Sequence, residues 1–189
     1  MGLRRRSRGF TLIEMMITVA VVGVLSLLAV VAYRRWVKSS YITEAQGILS
    51  SVRQGEERFA GENGGYLDVT GAVGVGNDYP LQTPTNKVTG WGGSCTWCKT
   101  PSGFNTLGVT ANAPVIFGYS VVADSTKTPS SRGVSVTLNG KAFDFSGLVG
   151  GAPWYFAEAD ANTSGDTTSW VHVYALSGTN QMFTDGEGN

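Results

Sequence analysis

Three groups of residues have the types and spacing for chemistry. Cys95-Thr96-Trp97-Cys98 has the spacing of a thioredoxin-type redox pair. That chemistry wants the first cysteine at a helix N-terminus, but Lys99-Thr100-Pro101-Ser102-Gly103 follows, a poor helix. Structural disulfide, free thiols or a metal, and redox catalysis all remain as readings, in that order. A zinc site wants roughly four ligands, and two Cys with a single His do not supply them. Asp160-Ala161-Asn162-Thr163-Ser164-Gly165-Asp166 places oxygen ligands at alternate positions with Gly sixth, like the start of a calcium loop. The glutamate expected twelfth is replaced by Val171, and Asp185-Gly186-Glu187 stands in if the last strand lies alongside. The calcium candidates are therefore Asp160, Asn162, Ser164, Asp166, Asp185 and Glu187; an ordinary polar turn, with no cofactor, has the same composition. Third, strand alternation in Trp170-Val171-His172-Val173-Tyr174 groups Trp170, His172 and Tyr174 on one face, so His172 reads as an exposed-face histidine. No nucleophile–base constellation is present. Gly71-Ala72-Val73-Gly74-Val75-Gly76 lacks the strand and the lysine of a phosphate loop. The chain does not read as an enzyme.

Charge is divided unevenly along the 189 residues, although 14 basic residues balance 14 acidic ones. Arg4, Arg5, Arg6 and Arg8 crowd the first nine residues, and the remainder is mildly acidic. No basic stripe survives beyond the N-terminal region, which argues against a specific nucleic-acid partner.

Phe10 to Tyr33 is an apolar run interrupted by one charge, Glu14. As a helix it spans roughly 36 Å, enough to cross a bilayer core with slight tilt. Its Leu, Ile, Val and Phe side chains contribute about 4–8 kcal/mol on insertion scales. That outweighs the roughly 2.5–3.5 kcal/mol cost of the carboxylate, so the segment inserts. A secretory signal cut near Val30-Val31-Ala32 would release a secreted binding or enzymatic domain starting near Tyr33. A plain signal anchor explains the length but not Glu14.

Gly9-Phe10-Thr11-Leu12-Ile13-Glu14, after a basic leader and before the apolar stretch, resembles the N-terminal signature of type IV prepilins and type II secretion pseudopilins. The resemblance implies a leader, residues 1–9, cut between Gly9 and Phe10 by a membrane-embedded prepilin peptidase, with Phe10 then N-methylated. It implies an inner-membrane single-pass subunit with a cytoplasmic N-terminus, recruited by inner-membrane assembly machinery. That subunit polymerises with itself or other pilins into an extracellular or periplasmic filament for motility, adhesion, DNA uptake or secretion. Glu14 then pairs with the freed α-amine of a neighbouring subunit, more a register device than a store of stability. A type II secretion pseudopilin is the alternative within the family. Two departures stand out: the first proline is Pro80, so the mid-helix proline of many members is missing, and Arg34, Arg35 and Lys38 weaken the positive-inside bias. Export favours a structural Cys95–Cys98 disulfide. Some members bind calcium near the C-terminal end of the head, which adds weight to the Asp160 group.

These residues need elements to hold them. The helical period continues past Tyr33 as an amphipathic segment (34–65), with Tyr41, Ala45, Ile48, Val52 and Phe59 on one stripe and Ile42 and Leu49 widening it. Glu44, Gln46, Arg53, Gln54, Glu56 and Glu57 mostly take other faces, and Gly64-Gly65 ends the helix. Residues 66–114 read as a long surface loop, with Tyr79, Trp91 and Trp97 as its core anchors in preference to exposed stickers. Residues 115–189 read as short strands at Val115–Ala123, Gly133–Leu138, Trp154–Ala159, Trp170–Leu176 and Gln181–Thr184, with Asn139-Gly140 turning into Lys141–Phe145. No helical stretches separate them, so the sheet should be antiparallel. The expected fold class is α+β: a long N-terminal helix, membrane-spanning in its first half (10–33), packed by its second half on an antiparallel β-sheet head.

Overall fold

A computed structural model describes residues 9–92, 95–138, 141–142, 145, 151–163 and 170–186. It has the expected α+β layout. Helix α1 runs unbroken over Leu12–Asn63, through Gly23, with no proline to interrupt it. It stops where expected: Gly64 takes the left-handed conformation, φ 76°, and its N–H donates to the Ala60 carbonyl at 2.8 Å. A residue with a Cβ is disfavoured there, which is why glycine ends the helix.

The chain divides into two compact units, Met1–Ser39 and Ser40–Asn189. In the first, every described residue up to Tyr33 is exposed, including all the large apolar side chains from Phe10 to Val31. By length and composition α1 is the one helix among the described residues able to cross a membrane.

In the second unit, Ile42, Ala45, Leu49 and Val52 are fully buried, and Tyr41, Ile48 and Phe59 pack partly against them. The stripe is thus the one expected, except for Glu56. That carboxylate is 0% exposed and lies on the buried face, not on a solvated one. The reason is local: Glu56 Oε2 accepts the Leu67 backbone N–H at 2.8 Å, where the chain leaves the helix.

Four antiparallel strands form the sheet in the order β1-β4-β5-β6: β1 Gly118–Asp124, β4 Trp154–Ala161, β5 Val171–Leu176 and β6 Met182–Asp185. A separate ribbon pairs β2 Thr137–Leu138 with β3 Lys141–Ala142, and the expected Asn139-Gly140 turn lies outside the described residues. Alternation sorts the sheet's two faces. Tyr119, Val121, Ala157, Ala159, Val173 and Ala175 join the core that includes α1. The alanines of β4 let backbones approach closely. On the other face Val122, Trp154, Phe156, Tyr174 and Leu176 form a second cluster with Val134 and Val136.

The long loop is packed by its own side chains. Tyr79, Trp91 and Phe104, the last on the short helix α2 (Gly103–Thr106), pack on one another with ring centroids 5.0–5.5 Å apart, and Trp91 meets Tyr119 edge-on at 5.6 Å. Tyr79 and Trp91 therefore anchor as expected; Trp97 is more exposed, at 39%. Asp68 holds Lys99 at 2.6 Å and also pairs with Arg132, which reaches Asp124 at 3.4 Å.

Candidate functional site

The N-terminal candidates share one turn. Gly9 and Phe10 precede the helix, so the Gly9–Phe10 bond lies in non-helical backbone, and Phe10 is 79% exposed. Thr11 caps α1. Its backbone N–H and its hydroxyl both donate to Glu14 Oε2 at 2.8 Å, and the Glu14 N–H donates to Thr11 Oγ1 at 3.3 Å. Thr-x-x-Glu is a capping box, in which two ends of one turn satisfy each other's orphan groups. Glu14 therefore has a partner within its own chain, a role that the spacing from Thr11 to Glu14 spells out. The described hydrogen bonds all fall on Oε2.

In the second unit Cys95 and Cys98 are joined in a disulfide. The small ring holds Trp97, whose indole N–H donates to the Asp78 carbonyl at 3.1 Å. Asp78 is followed by Tyr79, which exchanges two backbone hydrogen bonds with Tyr119 at 2.7 and 2.9 Å.

The calcium candidates are distributed differently from the sequence expectation. Asp160 is not in a turn. β4 continues to Ala161, and register pairs Asp160 with His172, then His172 with Asp185. Asp160 and Asp185 are thus two strand spacings apart, on the order of 10 Å, with His172 between them. Asn162 is buried just beyond β4. Ser164, Asp166 and Glu187 lie outside the described residues.

His172 is correspondingly not an exposed-face histidine. Its side chain is 26% exposed, and Nδ1 contacts Glu158 Oε1 at 3.2 Å and Asp160 Oδ1. Its ring stacks on Tyr174 with centroids 5.9 Å apart. Burial disfavours the imidazolium, but hydrogen bonds and charge from Asp160 and Glu158 outweigh it and raise the His172 pKa. Burial, then the Asp160 charge, pushes Glu158 up. Asp78, from the loop, is also pushed up, by burial first and then by Asp160 and Glu158. Sequence reasoning missed Glu158 and Asp78. The signal for Glu158 was present: two carboxylates at alternate positions in the otherwise apolar Trp154-Tyr155-Phe156-Ala157-Glu158-Ala159-Asp160-Ala161 must share one sheet face. Asp78 gave none.

Comparison with known proteins bears on the N-terminal site. Residues 4–30 match the prokaryotic N-terminal methylation motif. The chain is 35% identical over 78 residues to the type IV major pilin protein PilA of Myxococcus xanthus, covering 39% of this chain and 36% of PilA. It is 30% identical over 73 residues to the fimbrial protein EcpC of Eikenella corrodens, covering 39% of this chain and 48% of EcpC. It is 32% identical over 83 residues to the prepilin peptidase-dependent protein D of Escherichia coli, covering 44% and 55%. The chain thus spans between about a third and somewhat over half of these relatives. No solved structure matches it. With a capped apolar helix behind the methylation motif, the chain is similar over its matched part to type IV pilins and related fimbrial proteins.

Proposed function

We propose that the chain is a prepilin, cut between Gly9 and Phe10, N-methylated on Phe10, and polymerised through α1 into a pilus-like filament. The observation that carries this reading is the N-terminal turn itself. A glycine and an exposed phenylalanine in non-helical backbone stand before a capped, wholly exposed apolar helix. An apolar surface of that size needs either lipid or other helices around it. Before assembly lipid surrounds it, with the leader arginines on the cytoplasmic side of the inner membrane. In the filament, helices of other pilins replace lipid. The partners are a prepilin peptidase, inner-membrane assembly machinery and further pilin subunits. The E. coli relative is by name dependent on prepilin peptidase, and we extend that dependence to this chain.

After cleavage Thr11 stays in the chain, so the cap survives. Glu14 then offers Oε1 to the α-amine of a neighbouring Phe10. Two charges that insertion would otherwise strand satisfy each other, which favours one register over its neighbours. Mass spectrometry of the mature N-terminus tests the processing. A chain beginning at Phe10 and one methyl group heavier is expected; a chain beginning near Tyr33 refutes the proposal and points to an ordinary signal peptide.

A further inference from the structure

The outer face of the sheet, opposite α1, carries a group of buried ligand atoms. Glu158, Asp160 and His172 each present one such atom, all within 4.8 Å of one another. Glu158 is 6% and Asp160 0% exposed. His172 Nδ1 answers Asp160 Oδ1, but Asp160 Oδ2 has no donor.

A second observation comes from the loop. Gly118 is the register partner of Asp160 on β1. A Cβ at Gly118 would meet Asp78 Cβ at 2.5 Å and Asp78 Cγ at 3.1 Å. The Asp78 side chain therefore occupies the place a β1 side chain would take beside Asp160, where cross-strand neighbours sit about 5 Å apart. Asp78 is 0% exposed, and its carboxyl faces Ser120 and Asp160, yet neither oxygen completes a hydrogen bond of good geometry. A fully buried carboxyl aimed at two others is costly without a cation or a proton between them. The loop makes the arrangement deliberate: the Trp97 indole and the Tyr79–Tyr119 backbone pair fix Asp78 from both sides.

We propose that Glu158, Asp160 and His172 bind one divalent transition-metal ion of the zinc type, with Asp78 as a buried outer carboxyl beside Asp160. The donor set decides the class. Two carboxylates and an imidazole supply three ligands of a tetrahedral site, which leaves its fourth position open, with the Asp78 carboxyl held beside Asp160. Calcium, which takes six to eight oxygens, does not suit an imidazole-bearing site. The part-exposed His172 ring gives an entry path.

The test uses the full-length chain in detergent without an affinity tag, because His172 is then its only histidine. The protein is stripped with chelator and titrated calorimetrically with zinc alone, and in parallel with calcium alone. One zinc per chain is expected, and X-ray absorption of the bound zinc should show one imidazole. Asp78→Asn and His172→Gln should each weaken binding by at least about tenfold, the loss that even an outer partner of a ligand causes. Absence of zinc binding overturns the proposal and leaves protons as the agent that neutralises the cluster. Zinc bound undiminished by both variants overturns it, as does calcium bound in preference to zinc.

Discussion

Glu56 offers the sharpest test of how the head is built. It is 0% exposed, its Oε2 is used by the Leu67 N–H, and its Oε1 has no donor. Burial lifts its pKa from 4.5 to about 8; the Leu67 hydrogen bond lowers it only in part, and the charges of Asp68 and Glu57 add to the rise. The folded chain therefore binds this proton more tightly than the unfolded chain. Between pH 4.5 and 8 the unfolded state has lost the proton and the folded state keeps it, so stability falls as pH rises. The slope is one proton's worth, about 1.4 kcal/mol per pH unit. Across the window this amounts to roughly 5 kcal/mol, and by pH 7 to roughly 3 kcal/mol.

Glu56→Gln removes that titration while leaving an amide oxygen for the Leu67 N–H. At pH 4 the folded states are nearly isosteric, and wild type and variant should have similar stability. The variant's advantage should then grow with pH and level off above about 8. Urea denaturation of the full-length chain in detergent, followed by tryptophan fluorescence from pH 4 to 9, reads the difference directly. Subtracting the two curves removes every other titrating group common to both. Parallel curves would refute the reasoning and would mean that water or a counter-charge reaches Glu56 in the folded chain.

Two further predictions concern packing. Gly55 lies against the loop at Leu107, where an added Cβ would stand 2.4 Å from the Leu107 carbonyl oxygen. Gly55→Ala should therefore cost about 1–3 kcal/mol in the same denaturation assay, whereas an unchanged midpoint would show that the loop yields freely. Replacing both Cys95 and Cys98 by Ser opens a small ring and should cost about 2 kcal/mol by loop entropy; it should also free the Trp97 indole from Asp78, seen as a red shift in emission, and a variant with wild-type emission and midpoint would contradict that coupling.

What the sequence disclosed follows the range of the forces involved. The N-terminal turn depends on residues three apart, so Thr11 and Glu14 are readable together. The stripe of α1 depends on period alone, and it holds from Ile42 to Phe59. Glu56 escaped because its partner, the Leu67 N–H, belongs to backbone beyond the helix end. The strands show a similar limit. Alternation in Gly133–Leu138 correctly marks Val134 and Val136 for burial, but only Thr137 and Leu138 pair into a ladder. Alternation reports which side chains are covered, and pairing depends on a partner supplied from elsewhere. Likewise Val115 bridges Thr89 of the loop and does not begin β1. The Asp160–His172 pair arises from the register of β4 and β5, and Asp78 from a loop held over a glycine; neither is a short-range pattern.

Glu14 has two roles that a single truncation cannot separate. As the N3 residue of a capping box it fixes the start of α1, and under the proposal its charge also selects the neighbouring α-amine. Glu14→Ala removes both and should leave membrane insertion intact, since it deletes a charge costing roughly 2.5–3.5 kcal/mol in lipid. Glu14→Gln keeps the cap, because glutamine serves in the same box, but it abolishes the ion pair. If register selection by charge drives assembly, the Gln variant should be inserted and processed normally yet yield as few filaments as the Ala variant, counted by electron microscopy of sheared cells. If the cap is what matters, Gln should assemble and Ala should not. Thr11→Val completes the comparison. It removes the hydroxyl and keeps both the backbone N–H and the charge, so it should weaken the helix start by about 1 kcal/mol while still allowing filaments. Normal assembly by the Gln variant would overturn the charge-pairing mechanism while leaving the likeness to pilins untouched.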